Sequence, residues 1–343
     1  FGLFFSHLFF TWFTEDVTLQ QLGADYLWIC TVFSFGLFMS INFERMLQAT
    51  GNTMMSMAMQ LTGAIVNIIL DPIMIFGLLG CPQMGIKGAA IATVIGQFCS
   101  MAVGAVLNQT KNAELALHVK EFHIKARALR DILAVGFPSI IMQAIGSVLT
   151  VLMNMILIVY GNTAVSVLGV YFKLQSFVFM PVFGLNNGLV AIIGYNFGAR
   201  NRQRIYDAIK VALKIALAIM AVGMVLFLVV PETLLGLFEA ESGELTTIGV
   251  PALRIISLSF MLAAVGITLS TVFQAVGRGM YSLLMSLMRQ IIILLPAAML
   301  LSALGGLDAI WWSFPIAEVF SLALCLLLYR KTDREMLQVL EQK

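Results

Sequence analysis

Asn67 and Asp71 stand four residues apart in the apolar run 64–76, and Pro72 directly follows the carboxylate. On a helix that spacing stacks amide and carboxylate on one face. Pro72 carries no N–H, so the carbonyl of Ile68, one turn earlier, loses its helical donor and adds another oxygen to the neighbourhood. Carboxylate, amide and carbonyl oxygens together suit a hard cation or a shuttled proton. An ionisable group about 20 residues into an apolar helix is costly and marks a functional site by default. The competing reading is a hydrated aspartate near the outer end of its helix, with Asn67 making an interhelical hydrogen bond.

Other polar groups interrupt apolar runs further along. Arg289 and Glu318 lie in successive segments, about nine and about eleven residues from ends on the same side, so their depths agree to within one turn. Both a structural ion pair and a transport role fit that placement. Lys173 and Gln175 on one helix, with Gln143 and Asn154 on the helix before, either line a cavity or serve as polar glue between helices. Met142, Phe172, Phe177, Phe179 and Met180 could adapt to varied apolar ligands. In a chain with 21 Met and 25 Phe, each equally fits lipid contact or core. Cys30, Cys81, Cys99 and Cys325 show no ligand spacing and read as small packing residues. His7, His118 and His123 form no metal pattern, and the last two read as solvated loop residues. No Gly-x-x-x-x-Gly-Lys-Ser/Thr, His-Glu-x-x-His or Gly-x-Ser-x-Gly pattern occurs, which argues against ATP-driven transport within the chain and against an intramembrane enzyme. Neither a metal nor an organic cofactor is expected.

The elements that must position these groups are membrane helices. Hydrophobic residues make up 60% of the 343-residue chain and charged residues 11%, with a mean hydropathy of +0.96. An ordinary soluble domain carries roughly 25% charge. A bilayer core about 30 Å thick needs about 20 apolar residues per helix. Such runs occur at 24–48, 52–79, 85–107, 129–159, 164–197, 205–231, 247–275, 280–304 and 306–329. Residues 1–13 read as the second half of one more, without the charged start or cleavage site of a signal peptide.

Charge placement orients the spans. Lys111, Lys120, Lys125, Arg127 and Arg130 fill one loop; Arg200, Arg202 and Arg204 fill another; Arg330, Lys331 and Arg334 begin the tail. Loops of opposite parity carry Glu15, Asp16 and Asp25, and Glu232, Glu239, Glu241 and Glu244. The positive-inside rule makes the basic loops and the C-terminus cytoplasmic.

The chain also repeats itself. Leu47-Gln48-Ala49-Thr50-Gly51 returns 226 residues later as Phe273-Gln274-Ala275-Val276-Gly277, and at the same offset Gly23, Leu27, Ile29 and Ser56 meet Gly249, Leu253, Ile255 and Ser282. Gly85 to Gln97 is echoed by Gly306 to Glu318 at an offset of 221. An even number of helices separates the copies, so the halves run the same way through the membrane. The second half spans six helices, and its twin would begin about 100 residues before Phe1.

Two six-helix lobes, the Gln-Ala-x-Gly signature ending the fourth helix of each, Asn67-Ile68-Ile69-Leu70-Asp71-Pro72 in the fifth, Gly85 to Gln97 opening the sixth and Gly194-Tyr195-Asn196-Phe197-Gly198-Ala199-Arg200 closing the eighth resemble the multidrug and toxic compound extrusion (MATE) family, in its bacterial DinF-type branch. The resemblance implies an all-α polytopic membrane protein, a two-lobed bundle of six plus six helices, of which about nine and a half stand here. Residues 1–107 would form an incomplete N-lobe, 108–130 a cytoplasmic linker, 131–329 the C-lobe and 330–343 a cytoplasmic tail. The positions of Asn67 and Asp71, with Thr93 in the next helix and Asn42 in the preceding one, form the cation site of the N-lobe in similar proteins. The family's first helix supplies a second essential aspartate, so the site is expected to be incomplete in this chain. The family's other branch uses a carboxylate near Gln143, which argues against coupling in the C-lobe.

The function implied is proton- or sodium-coupled export of small organic cations or amphipathic drugs by alternating access, in the bacterial inner membrane, by a monomer with no nucleic-acid partner. The coupling ion stands where a cofactor would. A lipid-linked oligosaccharide flippase of the same superfamily would want a strongly cationic cavity, and the chain offers mainly Lys173, Arg254 and Arg289. An inactive membrane scaffold would pair off its buried polar groups and leave no cavity.

Overall fold

The computed structural model describes residues 2–11, 16–112, 126–238 and 243–341. Glu15, Lys120, Lys125, His118, His123, Glu239, Glu241 and most of the expected linker lie outside them. The chain is all-α, and it divides into two compact units, Phe1–Phe122 and His123–Lys343.

Unit 1 holds α1 (Gly2–Thr11), α2 (Val17–Val32), α3 (Phe35–Ala49), α4 (Thr53–Phe76) and α5 (Ile86–Thr110). Helix α5 is its centre, packed against α2, α3 and α4. Its buried face is made mostly of small residues, Gly88, Ala90, Ala92, Gly96, Ser100 and Gly104 among them. Without a strong hydrophobic drive between helices in lipid, close backbone approach through such residues supplies the packing. A Cβ on Gly96 would stand 2.7 Å from the Gly63 carbonyl oxygen of α4, and one on Gly88 would collide with the Met74 carbonyl. The α4–α5 crossing therefore requires both glycines.

Unit 2 holds α6 (Ala126–Leu157), α7 (Asn162–Gly198), α8 (Arg202–Val229), the short α9 (Pro231–Gly236), α10 (Glu244–Ser257), α11 (Phe260–Ala275), α12 (Gly279–Leu287), α13 (Leu295–Ile310) and α14 (Ser313–Glu341). Its core gathers around Tyr171, Phe260 and Trp311, with Phe260 edge-on to Phe179 and Phe227 at 5.2 Å each. Outward faces stay apolar: Val222, Val225, Leu226 and Val229 of α8 are exposed, as lipid contact allows. Among the described residues seven helices are long and apolar enough to cross a membrane, and nine spans result if two bent helix pairs each count as one.

Those bent pairs were expected as single spans at 24–48 and 247–275. Instead α2 and α3 meet at 50° and α10 and α11 at 52°. Hydroxyls at the breaks compete with the backbone for its carbonyls. Ser34 Oγ donates to the Thr31 carbonyl at 2.8 Å, and Ser257 and Ser259 donate to the carbonyls of Arg254 and Ile256 at 2.9 and 2.6 Å. The two breaks occupy equivalent places in the repeat.

The Gln-Ala-x-Gly copies are equivalent in conformation as well. Gly51 and Gly277 have φ of +79° and +78°. The N–H of Asn52 reaches back to the Leu47 carbonyl at 2.8 Å, and that of Arg278 to the Phe273 carbonyl at 2.7 Å. Each helix thus ends in a Schellman motif, which satisfies its last carbonyls and turns the chain sharply into the next helix.

Two departures from the expected boundaries follow from local backbone geometry. Gly306, expected to open the last span, lies within α13 at a kink with φ +70°, and α14 starts only at Ser313 and runs past 329 to Glu341. Between α12 and α13, Met288–Leu294 forms a π-helix. Such segments shift side-chain directions without altering apolar periodicity enough to be read.

A Cβ on Gly277 meets open space, so Gly277→Ala tests the left-handed turn alone. The expected cost is about 1 kcal/mol, read as a lower thermal midpoint than that of the Gly279→Ala control. Gly96→Ala should destabilise by about 1–3 kcal/mol, because its neighbour is backbone and cannot rotate away.

Candidate cation and substrate sites

In unit 1 the close crossing of α4 and α5 brings Asn67 against Thr93. Asn67 Nδ2 donates to Asp71 Oδ1 at 3.2 Å and lies 3.5 Å from Thr93 Oγ1, whose hydroxyl donates to the Ala89 carbonyl at 2.9 Å. All three are half-buried. The glycine contact holds the distance: a Cβ on Gly96 would also press Asn67 Cβ at 3.2 Å. Tyr26 of α2 adds a phenol beside Thr93, within electrostatic reach of Asp71. Nothing in its local sequence marked it, since a tyrosine in an apolar segment is ordinary.

Among the described residues Asp71 accepts its one hydrogen bond from Asn67, and no basic side chain pairs with it. Pro72 sits inside an otherwise continuous α4, leaving the Ile68 carbonyl without its usual donor. Asn42 does not join this group. It is exposed, and its amide donates to the Phe38 carbonyl of its own helix at 2.8 Å.

Among the described residues, unit 2 holds two partly open cavities. The first, of about 340 Å³, is lined by many hydroxyl and amide residues, including Ser139, Gln143, Asn186, Asn187, Thr271 and Gln274, together with apolar ones such as Met142 and Phe183. The second, of about 260 Å³, is aromatic: Tyr171, Phe172, Phe179, Phe183 and Phe314, with Gln175 and Met180. Arg289 lines both, and Glu318 lines the aromatic one. Arg289 Nη1 lies 3.3 Å from Glu318 Oε1, with 29% and 13% of the side chains exposed.

Of the expected cavity residues, Met142 and Gln143 line the polar cavity and Phe172, Gln175, Phe179 and Met180 the aromatic one. Asn154, Lys173 and Phe177 line neither. Phe177 is 79% exposed, and exposed Lys173 places its Nζ 5.7 Å from the Phe238 ring. Asn154 is half-buried on α6. On α7 helical phase separates Lys173 and Phe177 from the lining set: they are four apart and share a face that Phe179 and Gln175 do not. Asn186 was missed, although two adjacent asparagines in mid-span, Asn186-Asn187, were a readable signal.

A family model described as MatE matches residues 1–73 and 138–300. The chain belongs to the MatE family. Among MatE relatives, the multidrug export protein MepA of Staphylococcus haemolyticus (strain JCSC1435) is 30% identical over 275 residues, which is 80% of this chain and 59% of that protein. MepA of Staphylococcus aureus (strain bovine RF122 / ET3-1) is 30% identical over 295 residues, 85% of this chain and 63% of its own length. The chain thus spans about three fifths of these relatives.

The MatE fold is equally plain in solved structures. A crystal structure of MATE in the bent conformation superposes with a TM-score of 0.89 at 21% identity, covering 99% of this chain and 76% of that one. An outward-facing multidrug resistance MATE family transporter gives 0.89 at 22% identity, covering 98% and 76%.

Breaking one side of the Arg289–Glu318 pair strands a poorly solvated charge, whereas removing both does not. Arg289→Gln should therefore lower the thermal midpoint more than the double variant Arg289→Gln/Glu318→Gln does. A single variant as stable as the double would show the pair to be well hydrated.

Proposed function

We propose that the chain works as a cation-coupled exporter of small organic cations or amphipathic drugs, with Asp71 as the coupling carboxylate. The observation that carries this is the isolation of Asp71: a half-buried carboxylate on a membrane helix, with an amide partner and no counter-charge among the described residues. Such a group is stabilised by taking up a proton or a cation, so its occupancy responds to the gradient across the membrane. Asn67, Thr93, Tyr26 and the Ile68 carbonyl supply the neighbouring oxygens and the amide.

Uptake of a proton or sodium ion alters the Asn67–Asp71 hydrogen bond at the helix turn that Pro72 weakens. That local change biases alternating access of two lobes joined by the 108–130 connector, with drug leaving as the ion enters. The relatives named for multidrug export support the substrate class. The protein works as a monomer in the bacterial inner membrane, with its C-terminus in the cytoplasm. Cavities persist in unit 2 beside its ion pair, which favours transport over a closed scaffold.

Ethidium efflux from cells expressing the protein, under separately imposed proton and sodium gradients, tests this reading. Asp71→Asn should reduce gradient-driven efflux at least tenfold at unchanged expression, and the effective gradient identifies the ion. Equal efflux by wild type and variant would remove Asp71 from coupling.

A further inference from the structure

Helix α8 turns one stripe of residues into unit 2 and its opposite side outward. Ile209, Ala212, Ala216, Met220, Gly223 and Phe227 recur at helical spacing and are buried, with α7, α10 and α11 packed against the helix. On the outward side Val211, Ile215, Val222 and Val225 are exposed, an apolar surface of the kind that lipid chains cover. Lys210 and Lys214 share that side, one turn apart, and both are exposed.

The apolar run fixes how deep the two lysines stand. Pro231 and Glu232 follow the far end of α8, and the run back from Val230 meets its first charge at Lys214. A bilayer core about 30 Å thick takes about 20 residues of helix, which carries the other boundary to Val211. Lys210 therefore stands at that boundary, and the Lys214 backbone about 5 Å inside it. Side chains on a helix lean toward its N-terminus, here the direction of the boundary, and a lysine stem spans that depth while its ammonium stays at headgroup level. Both ammonium groups thus converge on one level, with Arg204 nearer the start of the helix.

Among the described residues none of these three cations has a hydrogen-bond or ion-pair partner for its charged group. Asp207 lies on the same side of α8, and both its carboxylate oxygens accept from Gln203 Nε2 at 3.1 Å. Arg204, Lys210 and Lys214 against that one carboxylate leave the face positive.

We propose that Lys210 and Lys214 hold the phosphate of an anionic phospholipid whose acyl chains run along Val211, Ile215 and Val222. A zwitterionic lipid brings an ammonium of its own, which the lysine pair repels; phosphatidylglycerol brings the phosphate without it. Soluble phosphate meets the same ammonium groups and gains nothing from the apolar residues between and beyond them. Attraction of a basic residue to an anionic lipid surface contributes roughly fivefold in affinity per lysine. The site uses neither Asp71 nor either cavity, so it stands or falls independently of the export reading.

Native mass spectrometry of the full chain in detergent, titrated with phosphatidylglycerol or phosphatidylcholine of matched acyl chains, tests the site. The first phosphatidylglycerol should bind wild type at least tenfold more tightly than the first phosphatidylcholine. Lys210→Gln/Lys214→Gln should cut that preference at least fivefold, and Lys210→Arg/Lys214→Arg, which conserves the charges, should keep it. Lys111→Gln, which removes an exposed lysine of unit 1, should also keep it. A preference that survives the double glutamine variant, or that Lys111→Gln lowers as much, overturns the proposal. Millimolar glycerol 3-phosphate should leave the bound phosphatidylglycerol in place; its displacement would make the lysines a site for soluble phosphate and overturn the lipid assignment.

Discussion

In a bilayer core no water is on hand to satisfy a backbone N–H or carbonyl, and nearly every irregularity in this molecule is shaped by that fact. Helices must be continuous or must end with their carbonyls already spoken for. Where α2 gives way to α3 and α10 to α11, serine hydroxyls take carbonyls that the bend leaves exposed. Where α3 and α11 stop, glycines with positive φ fold the chain back so that the next N–H groups close the last turn. The turn after α7, in the basic loop at 200–204, closes in the same geometry although it stands outside the bilayer core, with Arg200 at φ +55° and the Asn201 N–H on the Asn196 carbonyl at 2.8 Å. That these solutions recur at equivalent positions of two halves gives physical content to a repeat that is faint in residue identities.

Side chains face the same constraint with higher stakes, because a charge is harder to strand than an amide. The molecule deals with its intramembrane charges in two ways. Arg289 and Glu318 neutralise each other, and their value is positional: the pair stands where a polar space meets an aromatic one. Asp71 has an amide and no counter-charge among the described residues. A paired charge is a fixed part of the architecture, while an unpaired one is sensitive to whatever small ion reaches it. Glycines make both arrangements specific. Without Gly63 and Gly96 at the α4–α5 crossing, Asn67 and Thr93 would not stand within 3.5 Å of each other.

Much of this was legible in the residues. Nine apolar runs marked the spans because lipid contact demands near-continuous hydrophobicity, and that signal survives without any tertiary information. Asn67 and Asp71 could be paired because a helix fixes the relation of residues four apart. The cavity residues were harder. Phe179 and Phe177 are alike in type and nearly adjacent, yet one is 8% exposed in the core and the other 79% exposed. Apolarity cannot separate them, since lipid-facing and core-facing positions have the same chemistry in a membrane protein.

The sequence by itself determined the all-α membrane class, the order of the helices, the internal repeat and the local face shared by Asn67 and Asp71, because each of these rests on composition or on separations within one helix. Only the tertiary structure decided that Thr93 meets Asn67 and Tyr26 stands beside Thr93 while Asn42 turns back on its own helix, that the spans at 24–48 and 247–275 break by some 50°, and that Arg289 opens onto two cavities at once. Those outcomes depend on how closely one backbone can approach another and on which hydroxyl captures which carbonyl. Both are relations between residues far apart in the chain or between competing donors at a bend, and helical periodicity carries no record of either.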